Sequence, residues 1–211
     1  LAAASKFNEE LGDEGIVMLK NAGDAALPLP AGTKINLFGN ASYQTLYQGS
    51  GSASSWFKQD LNVNFKQGLE DAGFEVNPGL WKFYEDNYQE RSDQEGGMAN
   101  MSGADHSILE QPVSQYEEYE YEGQNVLEYS ESYSDVAVLV IGRAGGEGSD
   151  AVMEMDGYTG GDAGKHYLEL QSVEQELLSY IEQNYETVIV VLNIAMPMET
   201  GFIDDEAVDA A

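Results

Sequence analysis

Two stretches constrain the fold of this chain more than anything else in it. Val136-Ala137-Val138-Leu139-Val140-Ile141 and Thr187-Val188-Ile189-Val190-Val191-Leu192 are continuous runs rich in β-branched residues, with no polar alternation. A strand with one wet face alternates polar and apolar residues. A strand apolar on both faces has to be covered on both, as in the middle of a parallel sheet with helices above and below. The intervening sequence predicts a helix: Ser172-x-x-Gln175 has capping-box spacing, and Val173, Leu177, Leu178 and Ile181 form one apolar stripe. Strand, helix and strand make a βαβ unit, for which right-handed crossover is the rule.

The first half of the chain predicts a second unit. Phe7, Leu11, Ile16 and Val17 have near-helical spacing over 1–18, and Leu27-Pro28-Leu29-Pro30 cannot continue that helix. Lys34-Ile35-Asn36-Leu37-Phe38-Gly39 reads as a strand and 62–72 as a helix closed by Gly73. Phe74-Glu75-Val76 follows as a strand and 78–88 as a helix opened by Pro78. The expected fold is α/β, a three-layer α/β/α sandwich with a mainly parallel sheet. Residues 91–135 change character and are expected to be a loop-rich acidic insertion, a mobile loop followed by an ordered tail. There Tyr116-Glu117-Glu118-Tyr119-Glu120-Tyr121-Glu122 suits either an edge strand with one charged face or an extended insertion held by its tyrosines. Residues 204–211 read as an acidic turn and the start of another strand, so the sheet is expected to be incomplete at its C-terminal end. With Leu1 rather than Met first, the chain is expected to be a processed or excised piece.

Charge and composition exclude several functions. With 38 Asp+Glu against 9 Lys+Arg and a formal charge of -29, the chain lacks the clustered cations that phosphate backbones and anionic membranes require. The absence of cysteine removes disulfides, thiolate metal sites and thiol nucleophiles. No apolar run approaches the length needed to span a bilayer. A P-loop and a G-x-S-x-G elbow are absent, and Gly39-Asn40-Ala41-Ser42-Tyr43 fails the spacing of a dinucleotide fingerprint. His106 and His166 are far apart and read as surface histidines. Asp150, Glu154 and Asp156 lack the twelve-residue calcium loop around them. No metal or cofactor is expected. Trp56, Trp81 and the tyrosines read as core or interface more readily than as sugar platforms.

In open parallel sheets, ligands bind at the carboxyl ends of strands, where strand order reverses. Three segments leave strands at that edge: 40–55 with Gly49-Ser50-Gly51-Ser52, then Gly142-Arg143-Ala144-Gly145-Gly146-Glu147-Gly148-Ser149-Asp150, and finally 193–199. The second carries one carboxylate, Glu147, among glycines that permit close backbone approach. Taken alone it is as consistent with a solvated surface loop as with a reactive one.

Several segments together resemble glycoside hydrolase family 3. Asp13-Glu14-Gly15-Ile16-Val17-Met18-Leu19-Lys20-Asn21, Leu27-Pro28-Leu29 and Leu37-Phe38-Gly39 are similar to the entry of that family's sandwich domain. Gly49-Ser50-Gly51-Ser52 resembles its Gly-Ser-Gly loop. Val140-Ile141-Gly142-Arg143 with Gly146-Glu147-Gly148 and Asp150 resembles its acid/base loop, and Tyr167-Leu168, Val190-Val191-Leu192-Asn193 and Pro197-Met198-Glu199 resemble the segment beyond that loop. The resemblance covers the chain apart from about 91–135. It implies one domain, over 1–211, of a retaining β-glucosidase-like enzyme, (α/β)6-like in fold, with Glu147 as general acid/base. Arg143, Asp150, Gly49 and Ser50 would then face the substrate, a β-glucoside or related oligosaccharide. The nucleophile aspartate belongs to a barrel domain of the same polypeptide that this chain lacks. One departure is Ala151-Val152 after Asp150, where the family often has Arg; it bears on any sugar contact there. The rival readings are a non-catalytic carbohydrate-binding or scaffolding module and, less well supported, a small-ligand α/β domain. An acidic, cysteine-free chain suits a bacterial cytoplasm and a cell surface equally.

Overall fold

The structure, a computed structural model, describes residues 2–22, 26–47, 49, 62–89, 91 and 104–211. Strands β1 (Lys34–Phe38) and β2 (Glu75–Val76) alternate with helices α1 (Ala2–Gly15), α2 (Asn40–Tyr43) and α3 (Phe65–Asp71), followed by α4 (Pro78–Asn87). Next come α5 (Val113–Glu118), the short hairpin β3 (Glu120–Tyr121) and β4 (Gln124–Asn125), and α6 (Val126–Tyr133). Strand β5 (Val136–Arg143), helix α7 (Ser172–Asn184) and strand β6 (Thr187–Ile194) complete the main elements. A 3-10 turn, Gly201–Asp204, follows.

The four long-range strands form one parallel sheet in the order β2-β1-β5-β6. The pleat sorts side chains between two layers. From β1, β5 and β6, residues Phe38, Ala137, Leu139, Ile141, Val188 and Val190 face α4, α5, α6 and α7 in one core. Ile35, Leu37, Val138, Val140 and Ile189 face the opposite side, packed with α3 and the segment around Leu27 and Leu29. Helices on both faces of a parallel sheet make a three-layer sandwich, as the two unbroken apolar runs require. Near the chain's end, Ala210 bridges Ile189 in parallel, with Val190 N–H donating to Ala210 O at 2.9 Å.

Caps explain where helices begin. Asn64 accepts from Gln67 N at α3, and Asn77 accepts from Gly79 N and Leu80 N at α4. At α7 the N-cap is Gln171, and Glu174 closes the capping box, so the helix starts one residue earlier in the capping pattern than Ser172-x-x-Gln175 implies. Gln171 is fully buried and its side chain is tied to His166 O, Glu169 O and Asp162 N, which fixes it outside the helix.

Residues 104–135, where an ordered tail was expected within a loop-rich insertion, are ordered and more helical than loop-rich: they include α5, the hairpin and α6, and bury Val113, Tyr116, Val126 and Leu127 in the main core. Tyr116 stacks on Phe83 with ring centroids 4.2 Å apart, and Tyr119 meets the same ring edge-on at 5.3 Å. Residues 92–103 lie outside the described residues, so the expected mobile loop there carries no structural account.

Candidate active site

Strand order reverses between β1 and β5: the chain leaves β1 towards β2 on one side, then returns to lay β5 and β6 on the other. The carboxyl ends of β1 and β5 therefore stand side by side, at the place where an open α/β sheet offers a ligand crevice. Two glycines allow this approach. Gly39 has φ 94°, and a Cβ on it would overlap the Val140 carbonyl oxygen. A Cβ on Gly142 would lie 2.9 Å from the Ala41 Cβ.

The loop after β5 is rooted in Arg143, which is fully buried. Its guanidinium forks onto Glu174 through Nη1–Oε1 at 2.6 Å and Nη2–Oε2 at 2.7 Å. Nε donates to Tyr167 O at 2.8 Å, Nη1 to Gly142 O at 2.9 Å and Nη2 to Glu169 O at 2.8 Å. A guanidinium has five N–H groups, and all five are used inside the chain. Arg143 therefore holds the loop from below and has no donor left for a sugar, so its expected place among the substrate-facing residues is corrected. A bidentate, fully hydrogen-bonded pair is the arrangement that makes a buried charge tolerable.

Above this root, Ala144 N–H donates to the Tyr167 hydroxyl at 2.8 Å, and Ala195 N–H donates to Arg143 O at 2.9 Å. Residues 146–149 then form a tight turn, with Ser149 N–H donating to Gly146 O at 3.2 Å and Gly148 at φ 70°. Positive φ at the third position of a turn favours glycine. Glu147 sits at the tip of this turn, exposed, and Asp150 is exposed just beyond it. Ser149 Oγ accepts from Ala104 N at 2.7 Å, which ties the turn to the segment leading into Glu110. The segment after α2 is joined to the end of β6 as well: Asn193 Oδ1 accepts from Leu46 N at 2.7 Å. Gly49 is half-buried further along that first loop, while Ser50, Gly51, Ser52 and Trp56 lie outside the described residues.

Beneath the reversal point lies a group that the sequence did not single out. Glu110 Oε2 accepts from Asn40 N at 2.8 Å, and Oε1 accepts from Gln111 N and from the Tyr116 hydroxyl, both at 2.9 Å. The Tyr116 and Tyr84 hydroxyls share a 2.5 Å hydrogen bond, and Tyr84 accepts from Gly39 N at 2.6 Å. Burial pushes the Glu110 carboxyl up to about 7, against three hydrogen bonds that favour its charged form, and the charge of Glu174 adds to the rise. Burial likewise raises Tyr84 and Tyr116 well above the ordinary phenol range. Glu110, Glu174, Asn40 and Gly142 line a cavity of about 30 Å³, and Asn40 Oδ1 is buried without a hydrogen-bond partner. The sequence signal was slight, one Glu after Ile108-Leu109 and ahead of a proline.

The remaining candidates settle as structure. Trp81 is partly buried on α4, with its ring 4.9 Å from Tyr43. His106 is buried, its ring edge-on to Tyr167 at 4.6 Å, so it is not a surface histidine. Glu154 accepts from Asp156 N and Gly164 N, which makes it a turn-forming carboxylate. Among the described residues, no helix is long and apolar enough to cross a membrane.

A doubly wound α/β sandwich that presents an acidic glycine turn at its strand-reversal edge defines a class of ligand-facing domain rather than one protein. Comparison narrows it. The family model described as the glycosyl hydrolase family 3 C-terminal domain matches residues 16–211, and the chain belongs to that family. A β-glucosidase of Ruminococcus albus is 29% identical over 202 residues, covering 95% of this chain and 19% of the relative. The structure of β-glucosidase 3B from Thermotoga neapolitana in complex with α-D-glucose superposes with a TM-score of 0.71 at 27% identity, covering 100% of this chain and 26% of that one. A β-glucosidase from Paenibacillus barengoltzii superposes with a TM-score of 0.67 at 25% identity, covering 92% of this chain and 19% of that one. The chain thus spans about a fifth to a quarter of the length of these relatives.

Proposed function

We propose that this chain forms one side of a retaining β-glycosidase active site and supplies its general acid/base, Glu147. A barrel domain of the same polypeptide would contribute the aspartate nucleophile. The observation that carries this reading is the position of Glu147: an exposed carboxyl at the tip of a glycine turn, at the edge where β1 and β5 end, above a root fixed by Arg143 and Glu174. Membership of a family whose similar members include β-glucosidases supports it.

The chemistry sets clear demands. Retaining hydrolysis uses one carboxylate to attack the anomeric carbon and one carboxylic acid to protonate the leaving oxygen, about 5–5.5 Å apart. An acid exposed in this chain must keep its proton near neutrality once the site closes. Water exclusion by the barrel and the negative charge of the nucleophile both push in that direction. When the glycosyl-enzyme forms, that charge is consumed, and Glu147 can release its proton and activate water. Asp150, Gly49 and Ser50 are proposed to contact the sugar as well.

The test is Glu147→Ala in the complete two-domain enzyme. Hydrolysis of substrates with poor leaving groups is expected to fall far more than that of activated aryl glycosides, which leave without protonation. Equal losses on both would remove Glu147 from the acid role.

A further inference from the structure

The strap before α7 and the loop after β6 bring three metal-ligating side chains to one point. His166 Nε2 stands 3.2 Å from Glu169 Oε1 and 3.2 Å from Glu199 Oε1. The three ligand atoms lie within 4.8 Å of one another. Ligands bound at about 2.0–2.1 Å around a tetrahedral zinc ion are separated by roughly 3.3 Å, so the two short separations already fit. One imidazole with two carboxylates is a donor set that suits zinc-type ions.

The arrangement also suits a cation. A neutral imidazole has a single Nε2 hydrogen for two carboxylates to share, whereas an ion on Nε2 meets both oxygens directly. It would also offset negative charge in a chain whose formal net charge is -29. The backbone holds the groups in place: His166 N–H donates to Glu169 Oε1 at 3.1 Å, Glu199 N–H to Leu168 O at 2.9 Å, and Gln171 Nε2 to His166 O at 3.0 Å. Pre-positioned ligands from two separate loops need little ordering to bind.

We propose that His166, Glu169 and Glu199 bind a zinc-type divalent cation, with solvent completing its coordination. The ion staples the strap before α7 to the loop after β6. Because Arg143 donates to the Glu169 carbonyl, the staple lies one residue from the root of the Glu147 turn. His166 Nδ1 is buried without a hydrogen-bond partner, so the ring lacks the acceptor that usually strengthens such a ligand. Affinity lower than that of dedicated structural zinc sites follows. Acid weakens binding, since the ligands must lose their protons. This site stands or falls independently of the glycosidase reading.

The experiment is titration of chelator-treated chain with ZnCl₂ in excess Mg²⁺, which occupies scattered carboxylates, together with visible spectroscopy of the Co²⁺ form. One saturable Zn²⁺ per chain is expected, with Co²⁺ bands of low-coordinate geometry. Affinity should fall by about tenfold or more in both His166→Asn and Glu199→Gln. Lack of saturable binding, or binding unchanged in both variants, overturns the proposal. If His166→Asn does not fold, Glu199→Gln decides, because that side chain is 65% exposed and its loss leaves the core intact.

Discussion

Replacing Glu110 by Gln should remove a specific pH dependence from folding stability. The carboxyl titrates at about 7 in the folded chain against 4.5 for an ordinary Glu. Between those values the native state keeps a proton that the unfolded state has released. Stability therefore falls as pH rises through this window, and above it the full penalty applies. A difference of about 2.5 units at 1.36 kcal/mol each is about 3 kcal/mol, of which roughly 2.5 kcal/mol develops between pH 5 and 8. Gln is neutral throughout. It brings a pH-independent offset, because its amide must turn an N–H towards one of the donors that Glu110 accepts. The assay is urea unfolding of wild type and Glu110→Gln at pH 5, 6, 7 and 8, read as the difference between the two proteins so that the many other carboxylates cancel. The wild type should lose roughly 2.5 kcal/mol relative to the variant across the series. A difference constant within about 0.5 kcal/mol would mean that Glu110 is already charged at pH 5, its three hydrogen bonds having outweighed burial.

Other substitutions probe the frame around the site. Glu174→Ala leaves the Arg143 guanidinium buried without its counter-charge and should cost about 3–5 kcal/mol in urea unfolding. Gly39→Ala adds a methyl at positive φ against the Val140 carbonyl and should lower the melting temperature by many degrees or prevent folding, as circular dichroism will show. Glu147→Ala, at an exposed turn tip, should change unfolding free energy by less than about 1 kcal/mol, so its effect on catalysis would not be a folding effect. The purified 211-residue chain should not hydrolyse aryl β-glucosides; turnover above background would contradict a divided active site.

How much of this was legible in the sequence depended on period and on numbers. β5, β6 and α7 were plain, because a two-sided apolar strand and a striped helix have few other ways to bury themselves. Tyr116 to Glu122 misled, since the alternation has a period of two whereas Tyr116 and Tyr119 are also three apart. Both tyrosines meet Phe83, from a helix and its cap, and the strand pairing starts only at Glu120. Glu147 stood out by its glycines. Glu110 could not be told from the other 37 acidic residues, since its distinction is packing against the start of α2, 70 residues away. Arg143 was noticed for the wrong reason. As one of only 9 basic residues, directly after an apolar strand, it had a partner to find in the interior, and Glu174 in the first turn of α7 was that partner.

The turn bearing Glu147 draws its support from Ala104, Tyr167, Glu169, Glu174 and Ala195, which lie in several separated stretches of the chain. A transplant of the seven or eight residues around Glu147 into another scaffold would carry the carboxyl without the groups that aim it. Any variant made to test the proposed acid role should keep that underlying framework whole and change only the crest of the turn.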